Sequence, residues 1–340
     1  MSESKTRIGF VGVGARAAVE ISDLARMPDV EVAALCDIAP ERIEHTVDRL
    51  AARGVTQVHR AERFRDYRSM LRVADLDGVY VSLPPFAHGE VEHAVLDAGK
   101  AICVEKPVAL TMDVAREIER HVRESGVVSA VAYQLRYGIH LQKAREILAG
   151  RQIGLVIAPR LGYFAGTWWP VQEKSGGMLV EQHTHSVDLL RYVAGEVETV
   201  YAQADTLLLR DNPLVTIHDV NAATLRFRSG AVGSIYNSCA VPQAREVPNA
   251  LSVQFVAKDV VVTYTFPETV AVWADGTREV YQDDGESNFR MNRAFVDAVK
   301  SGDRSGVLSD YSEGVKTFEV TYACLISAQR NEVIKLGRGY

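Results

Sequence analysis

The chain reads Arg-Ile-Gly-Phe-Val-Gly-Val-Gly-Ala-Arg-Ala over residues 7–17. The first five of these residues form a β-type run that predicts a buried strand, and the apolar spacing over residues 19–25 predicts a helix directly after the segment. Gly12, Gly14 and Ala17 lie between the two elements in a G-x-G-x-x-A order. Strand, glycine loop and helix in this order are typical of a dinucleotide-binding βα unit, so the segment predicts a Rossmann fold.

Each small residue of the loop meets a physical requirement of that unit. Gly12 permits a tight turn, Gly14 lets backbone N–H groups approach a pyrophosphate, and Ala17 keeps helix and strand close. The N-terminus of the helix, where its dipole is positive, then faces the diphosphate. Arg16, inside the same loop, is grouped with the predicted cofactor-binding residues. Taken alone, the motif is a weak signal.

A second predicted strand, residues 30–35, ends in Cys36 and Asp37. An acid about 20 residues beyond the glycine loop is placed to accept hydrogen bonds from the adenosine ribose hydroxyls. Because Asp37 would also repel a 2′-phosphate, it favours NAD over NADP. Two other roles stay open: the carboxylate can cap the helix that opens at Pro40, and Arg42 can meet a phosphate.

Strands and helices continue to alternate along the next hundred or so residues. After a helix over 41–52, the predicted order is a weak strand 56–58, helix 66–73, strand 78–83, helix 88–98, a strand ending before Lys106, helix 111–126 and strand 127–132. Such alternation implies βαβ units and a doubly wound parallel sheet covered on both faces. We therefore predict a Rossmann dinucleotide-binding domain over residues 1–132.

The pattern changes over residues 133–340, where β-rich runs follow one another with few helices between them. The predicted strands are 155–165, 197–209, 220–228, 231–239, 251–256, 260–265, 270–274 and 278–281, and two helices follow near 287–300 and 310–329. Consecutive strands joined by short turns give a mostly antiparallel sheet. The fold class is therefore α/β plus α+β: a Rossmann domain followed by a domain built on a large, mostly antiparallel open β-sheet.

The apolar run Ile102–Val104 ends abruptly in Glu105, Lys106 and Pro107. Proline has no N–H to donate to a central ladder, so the strand ends here and Lys106 lies at its carboxyl end. In an open parallel sheet, that end faces the ligand crevice. Lys106 is therefore a candidate for chemistry, and the alternative is a surface lysine in a strand-to-helix loop.

A helical stretch within the β-rich half, residues 176–195, has unusual polar content. On one continuous helix, Glu181, His185 and Asp188 stand at i, i+4 and i+7 and share a face, whereas His183 points elsewhere. Carboxylates one turn from a histidine can orient its ring and stabilise its charged form, which favours a proton-transfer role. A buried polar network and a metal site are the alternatives; because ligands at i and i+2 do not converge on a helix, no metal is predicted.

Composition excludes several classes of protein. The net charge of −6 comes from mixed charges without a basic stripe, which argues against nucleic acid as a partner. No stretch approaches the roughly 18 apolar residues of a spanning helix, so no membrane partner is expected. The four cysteines form no C-x-x-C pair and indicate a reducing compartment, so we expect a cytoplasmic location.

Together these motifs resemble the Gfo/Idh/MocA oxidoreductases, the group containing glucose-fructose oxidoreductase and inositol dehydrogenase. The resemblance covers essentially the whole chain. It is carried by the glycine loop, Pro84-Pro85 followed by His88, Glu105-Lys106-Pro107, Tyr133-x-x-Arg136-Tyr137, Gly150-x-x-Ile153-Gly154, and Gly176-Gly177 leading to Glu181-x-x-x-His185-x-x-Asp188.

The resemblance implies roles for individual residues. Lys106 would bind the reacting substrate oxygen and help place the nicotinamide, and His185 would be the general acid or base. Glu181, where the family usually has aspartate, would be its catalytic partner. The residues that would line the cofactor pocket are Ser82, Leu83, Pro84, His88, Glu105 and Lys106. The predicted substrate-binding residues are Lys106, Arg136, Tyr163, Trp168, His185 and Asp188.

The implied reaction is hydride transfer between the nicotinamide of NAD and a secondary alcohol carbon of a sugar, anhydrosugar or cyclitol. Three alternatives stay open: a redox-neutral NAD-dependent glycosidase, a nucleotide-sensing protein without catalysis, and an imine or dihydrodiol substrate. Alternating apolar residues in the β-rich half, such as Val232 to Tyr236 and Val260 to Tyr264, predict a homodimer or homotetramer that forms through the open sheet.

Overall fold

The computed structural model describes residues 5–162, 168–241 and 251–337. The strands are β1 (Thr6–Val11), β2 (Val30–Cys36), β3 (Glu62–Phe64), β4 (Gly78–Val81), β5 (Ala101–Val104), β6 (Ser129–Val131), β7 (Ile153–Leu161), β8 (Val197–Asp205), β9 (Val220–Phe227), β10 (Val232–Ser238), β11 (Ser252–Ala257), β12 (Val260–Thr265), β13 (Glu268–Trp273), β14 (Arg278–Gln282) and β15 (Ile334–Lys335). The α-helices are α1 (Ala15–Leu24), α2 (Pro40–Ala51), α3 (Tyr67–Val73), α4 (Glu90–Asp97), α5 (Met112–Ser125), α6 (Ile139–Leu148), α7 (Gln172–Ser175), α8 (Gly177–Glu181), α9 (Thr184–Ala194), α10 (Ser287–Ser301) and α11 (Tyr311–Arg330).

The chain divides into two compact units. The first takes the described residues of Met1–Ala109, Asp113–Gln134 and Glu286–Val315, and the second takes those of Leu110–Met112, Leu135–Gly285 and Lys316–Tyr340. The sequence prediction placed all of residues 133–340 in the second domain. The difference arises because α10 buries Phe295 and Val296 in the core of the first unit. Helical periodicity shows that a helix has an apolar face, but it does not show which unit that face packs against.

The first unit is built on a parallel sheet of order β3-β2-β1-β4-β5-β6 within the described residues. The prediction of a doubly wound Rossmann sheet is confirmed. The weak strand predicted over residues 56–58 is instead part of a 3₁₀ helix, Thr56–Arg60, and the edge strand β3 follows it. β2, β1, β4 and β5 are neighbours, so the residues that follow these strands lie along one edge of the sheet.

The second unit is built on a sheet of order β14-β13-β12-β11-β7-β10-β9-β8-β15 within the described residues. Neighbouring strands in this sheet are antiparallel, except for β7 and β10, which are parallel to each other. The predicted mostly antiparallel sheet is therefore confirmed. Residues such as Phe227, Phe255 and Tyr264 are buried on one face in the main core of the unit. None of the helices in the described part of the chain combines the length and apolar character needed to cross a membrane.

Candidate active site

The glycine loop follows β1, and its two glycines, Gly12 and Gly14, differ in what their surroundings require. Gly12 has φ +87°, and a Cβ there would lie 2.3 Å from the carbonyl oxygen of Ser82, so the fold itself requires glycine. Gly14 has φ −90°, and a Cβ there would have no heavy atom within 4 Å. Gly14 therefore leaves open space in front of the N-terminus of α1, which is the property that an approaching pyrophosphate needs.

Asp37 connects the end of β2 to the glycine loop. Its Oδ2 accepts the backbone N–H of Val13 at 3.0 Å, and its Oδ1 accepts that of Ala39 at 3.0 Å. Asp37 is 5% exposed, and Nη1 of Arg42 lies 3.5 Å from its Oδ2. A carboxylate retains further lone pairs after two such bonds, so Asp37 fits an additional ribose hydroxyl.

Arg16 is bound to acidic and amide groups of the first unit. Its Nε donates to Oε1 of Glu105 at 2.8 Å, and its Nη2 donates to Glu20 and, at 2.6 Å, to Oδ1 of Asn288. Burial raises the pKa of the Glu20 carboxyl, and the neighbouring Glu105 adds to that shift. Oε2 of Glu105 accepts the backbone N–H of Lys106 at 3.3 Å. Arg16 therefore fixes the residue that precedes Lys106, and its contact with the cofactor stays a prediction.

Sequence reasoning missed the polar group around Glu20. This carboxylate is 1% exposed and accepts hydrogen bonds from Nδ2 of Asn288 and Asn292, at 3.0 and 2.6 Å. The available signal was its position on the apolar face of α1, three residues after Ala17 and four before Leu24.

The segment after β4 holds four of the predicted cofactor-pocket residues: Ser82, Leu83, Pro84 and His88. The ring of His88 is wholly buried, with Nδ1 2.5 Å from Oε1 of Glu92 and Nε2 3.3 Å from the carbonyl oxygen of Leu83. The other oxygen of Glu92 accepts the N–H of Gly89 at 2.6 Å. His88 thus holds the loop in shape through both ring nitrogens.

In the second unit, the predicted continuous helix over residues 176–195 is wrong. The structure has two helices, α8 and α9, separated at Gln182 and His183. The N–H groups of both residues donate to the carbonyl oxygen of Met178, at 3.0 and 2.9 Å, which widens the helical turn. Glu181 and His185 therefore lie on different helices, and the predicted i, i+4 spacing does not describe them.

The end of α8 is held by a short chain of polar contacts. Nη2 of Arg160 donates to Oε1 of Gln182 at 3.0 Å, and Nε2 of Gln182 donates to Oε2 of Glu181 at 2.5 Å. Glu181 is 7% exposed. Burial lowers the pKa of Arg160, and the Glu181 carboxylate opposes that shift. His185 is half-buried in the first turn of α9.

Arg136 and Asp188, both predicted to bind substrate, are bound to each other. Nε and Nη2 of Arg136 donate to the two carboxylate oxygens of Asp188 at 2.9 and 2.7 Å, and Thr317 donates its hydroxyl at 2.9 Å. Both members of the ion pair are 1% exposed. The pair ties residues of the 3₁₀ helix Gln134–Tyr137 to α9, and substrate contact by either member stays a prediction.

Two aromatic residues, Trp168 and Tyr163, were predicted to bind substrate. Trp168 is half-buried and meets Trp169 edge to face, with ring centroids 6.4 Å apart. Trp169 packs against a small buried cluster that includes Met178. Tyr163 lies outside the described residues.

The catalytic candidates belong to different units. Lys106 belongs to the first unit and His185 to the second. Within the described ranges, no group of three or more His, Cys, Asp and Glu side chains is arranged to hold a metal ion.

Two family models match the chain. One, described as "Oxidoreductase family, NAD-binding Rossmann fold", matches residues 6–133, and one described as "GFO/IDH/MocA C-terminal domain" matches residues 141–257. Their ranges together include more than two thirds of the sequence.

Individual proteins also match the chain, over different shares of its length. The chain is 26% identical to "Myo-inositol 2-dehydrogenase" of Thermotoga maritima, over 97% of this chain and 98% of that protein. It is 29% identical to "Uncharacterized oxidoreductase YrbE" of Bacillus subtilis, over 68% of this chain and 66% of that protein. Among solved structures, "Levoglucosan dehydrogenase, complex with NADH" matches with a TM-score of 0.84 and 20% identity, over 99% of this chain and 100% of that one.

Proposed function

The chain belongs to the Gfo/Idh/MocA family of oxidoreductases, with an NAD-binding Rossmann fold as its first unit, and from that membership we propose its reaction. The protein transfers a hydride between the nicotinamide of NAD and a secondary alcohol carbon of a sugar, anhydrosugar or cyclitol. The myo-inositol dehydrogenase relative, matched over nearly its whole length, supports a polyol substrate.

One observation carries the proposal within the first unit. The glycine loop, Asp37 and Lys106 follow β1, β2 and β5, so they lie along the same edge of one parallel sheet. A dinucleotide bound across this edge would have its pyrophosphate at Gly14 and a ribose at Asp37, and Lys106 would be the cation on the far side of the switch between β1 and β4. The open space at Gly14 and the remaining lone pairs of Asp37 fit NAD.

Each residue then has a defined part in alcohol oxidation. NAD supplies a carbon that accepts the hydride. His185 takes the hydroxyl proton, and Glu181, the last residue of α8, is proposed as its carboxylate partner. The Lys106 ammonium donates a hydrogen bond to the oxygen as negative charge develops on it. Arg16 and Glu105 hold the backbone of Lys106 in place. Asp37 favours NAD over NADP.

The test is a panel of sugars, cyclitols, anhydrosugars and sugar acids with NAD and with NADP, following reduced nicotinamide. Lys106→Ala and His185→Ala should each lower turnover by about 10²-fold or more, because each removes a group used in proton transfer or charge stabilisation. NADH binding, followed by fluorescence, should stay within about threefold of wild type. Lys258→Ala and His59→Ala, at exposed positions, are the matched controls.

Near-wild-type turnover of His185→Ala would refute its assignment as the proton-transfer group. Tightly held cofactor that supports glycoside cleavage without net NADH would favour the redox-neutral glycosidase. NAD binding with no turnover of any compound would favour a nucleotide-sensing protein.

We also propose a homodimer or homotetramer that forms through the outer face of the second sheet. Side chains that pair directly across neighbouring strands share a face of the sheet. Val232, Leu155, Val256, Val261 and Val272 pair in this way and form one apolar row. Leu155, Val232 and Val272 are 37%, 43% and 45% exposed, which supports burial of the row in an interface.

A cytoplasmic location remains part of the proposal. The four cysteines are buried and form no disulfide, as expected in a reducing compartment.

A further inference from the structure

A chain of four hydrogen-bonding groups joins three neighbouring strands of the second sheet and includes His183, at the break between α8 and α9. Nδ2 of Asn221 donates to Oδ1 of Asn237 at 2.8 Å, and Nδ2 of Asn237 donates to Nδ1 of His183 at 2.9 Å. Nε2 of His183 then donates to the carbonyl oxygen of Ala158 at 3.0 Å. We call these four groups the imidazole relay.

Every bond of the imidazole relay has a fixed direction. The carbonyl oxygen of Ala158 can only accept, so Nε2 of His183 carries the proton. His183 is fully buried, and burial lowers its pKa to about 3, with a further contribution from the nearby Arg160 charge. The ring is therefore neutral, Nδ1 is an acceptor, and Asn237 must present its NH₂ group to the ring. A single tautomer and a single amide orientation satisfy the relay.

The relay also fixes the backbone that leads into α9. His183 precedes the first residue of that helix, its N–H donates to the carbonyl oxygen of Met178, and its own carbonyl oxygen accepts the N–H of Val187 at 3.0 Å. Its ring meanwhile is attached to β7 and β10 through Ala158 and Asn237. His185 is the second residue of the helix that starts from this anchored position.

We propose that His183 is a positioning residue for the reaction: its neutral ring anchors the start of α9 and thereby sets where the imidazole of His185 stands. This inference rests on the proposed function, because it assigns to His185 the proton transfer described above. His183 itself touches neither substrate nor cofactor in this scheme. Both of its ring nitrogens are used within the protein.

A matched pair of variants tests the anchor. In His183→Phe, a ring of similar size fills the space but loses both hydrogen bonds. In His183→Gln, the side-chain amide offers one donor and one acceptor at nearly the separation of the two ring nitrogens. Because a displacement of about 1 Å at a reacting group can cost about 10²-fold in rate, His183→Phe should lower kcat by about 10- to 100-fold. His183→Gln should stay within about threefold of wild type, and the KM for NAD should be unchanged in both.

Equal kcat for wild type and a folded His183→Phe would overturn the inference, whereas a wild-type enzyme that oxidises no compound of the panel would overturn the proposed function instead. A second measurement needs no variant. In ¹⁵N-histidine-labelled protein, one imidazole should remain the neutral Nε2–H tautomer from pH 8 to pH 5, with and without NAD. If every imidazole titrates over that range, or none shows this tautomer, the relay does not exist as described.

Discussion

Asp37 and His183 show how a single buried polar side chain shapes both backbone and chemistry. Asp37 accepts the N–H groups of Val13 and Ala39, so it holds the glycine loop against the end of β2 before any ligand binds. Its remaining lone pairs are those proposed for a ribose. A substitution at this position therefore changes the shape of the loop and the choice of cofactor together.

Replacing Asp37 by serine should weaken NADH binding by about tenfold or more, because hydrogen bonds to a charged group contribute about 1.5–3 kcal/mol. NADPH binding should improve relative to NADH, since the carboxylate that repels a 2′-phosphate is gone. Fluorescence titration with both cofactors measures the ratio. In Asp37→Ser/Arg42→Ala, the gain toward NADPH should shrink if Arg42 meets the phosphate. An unchanged ratio in Asp37→Ser would contradict the role of Asp37.

His183 should make the protein more sensitive to acid. Its pKa is about 3 when folded and about 6.5 in an unfolded chain, so between these values only the unfolded state holds the proton. Stability therefore rises with pH across this window and falls as the pH drops. Urea unfolding from pH 6 to pH 4 should show a loss of about 1.4 kcal/mol per pH unit that is absent in His183→Gln. Parallel pH dependences for the two proteins would exclude a neutral buried ring, and the exposed His59→Gln should behave as wild type.

Sequence reasoning predicted the positions of residues that local spacing along the chain determines. Gly12 and Asp37 were predicted because a βα unit fixes their distance along the chain. The bidentate contact between Arg136 and Asp188 was not predicted, because these residues are 52 positions apart and each resembles a substrate ligand when considered alone. His183 was set aside because a continuous helix was assumed.

Two short elements carry candidate residues, one in each unit: the glycine loop before α1 in the first unit and the break between α8 and α9 in the second. Both depart from regular geometry for a local reason. At the loop, Gly12 has positive φ and lies against Ser82. At the break, the helix does not continue regularly, and the ring of His183 is hydrogen-bonded to β7 and β10. Sequence patterns predicted the first departure because glycine marks it, whereas no residue type marks the second.

The two glycines of the loop give a matched pair of variants. Gly12→Ala places a Cβ against backbone that cannot move aside, so it should lower the thermal midpoint and reduce NADH binding together. Gly14→Ala meets open space at an ordinary φ, so the midpoint should stay within about 1–2 °C of wild type. Its NADH affinity should nevertheless fall about tenfold, because the methyl group enters the space proposed for the pyrophosphate. Full NADH affinity in Gly14→Ala would contradict the proposed cofactor position.

At the scale of the whole molecule, the two sheets explain why fold class was predictable and unit boundaries were not. Alternating helices and strands, followed by β-rich runs with few helices between them, predicted one parallel and one mostly antiparallel sheet. The partner of α10 was not predictable, because an amphipathic helix fits either apolar surface equally well by pattern. Polar contacts attach α10 to the first unit: Oδ1 of Asn292 accepts a hydrogen bond from the hydroxyl of Tyr80 at 2.9 Å, and Nη1 of Arg293 donates to Oδ1 of Asp29 at 2.8 Å.

Val256→Lys tests the proposed oligomer, since it places a charge in the middle of the apolar row of the second sheet. Wild type should show two or four times the chain mass by light scattering at micromolar concentration, and the variant should show a lower mass because an unpaired charge in an interface is costly. Val333→Lys changes an apolar residue that is 64% exposed outside the row, so it should leave the mass unchanged. A monomeric wild type would refute the proposal.

On the ribosome, the six strands of the first sheet emerge long before α10, which ends at Ser301. Until then, the carboxylate of Glu20 lacks the amides of Asn288 and Asn292, and Asp29 lacks Arg293 and Lys300. The first unit of the nascent chain therefore stays incomplete while strands β7 to β14 of the second sheet are synthesised. In a truncated polypeptide that stops at residue 134, Glu20 and Asp29 would never gain these partners, and the surface that α10 covers would stay open to chaperones and proteases.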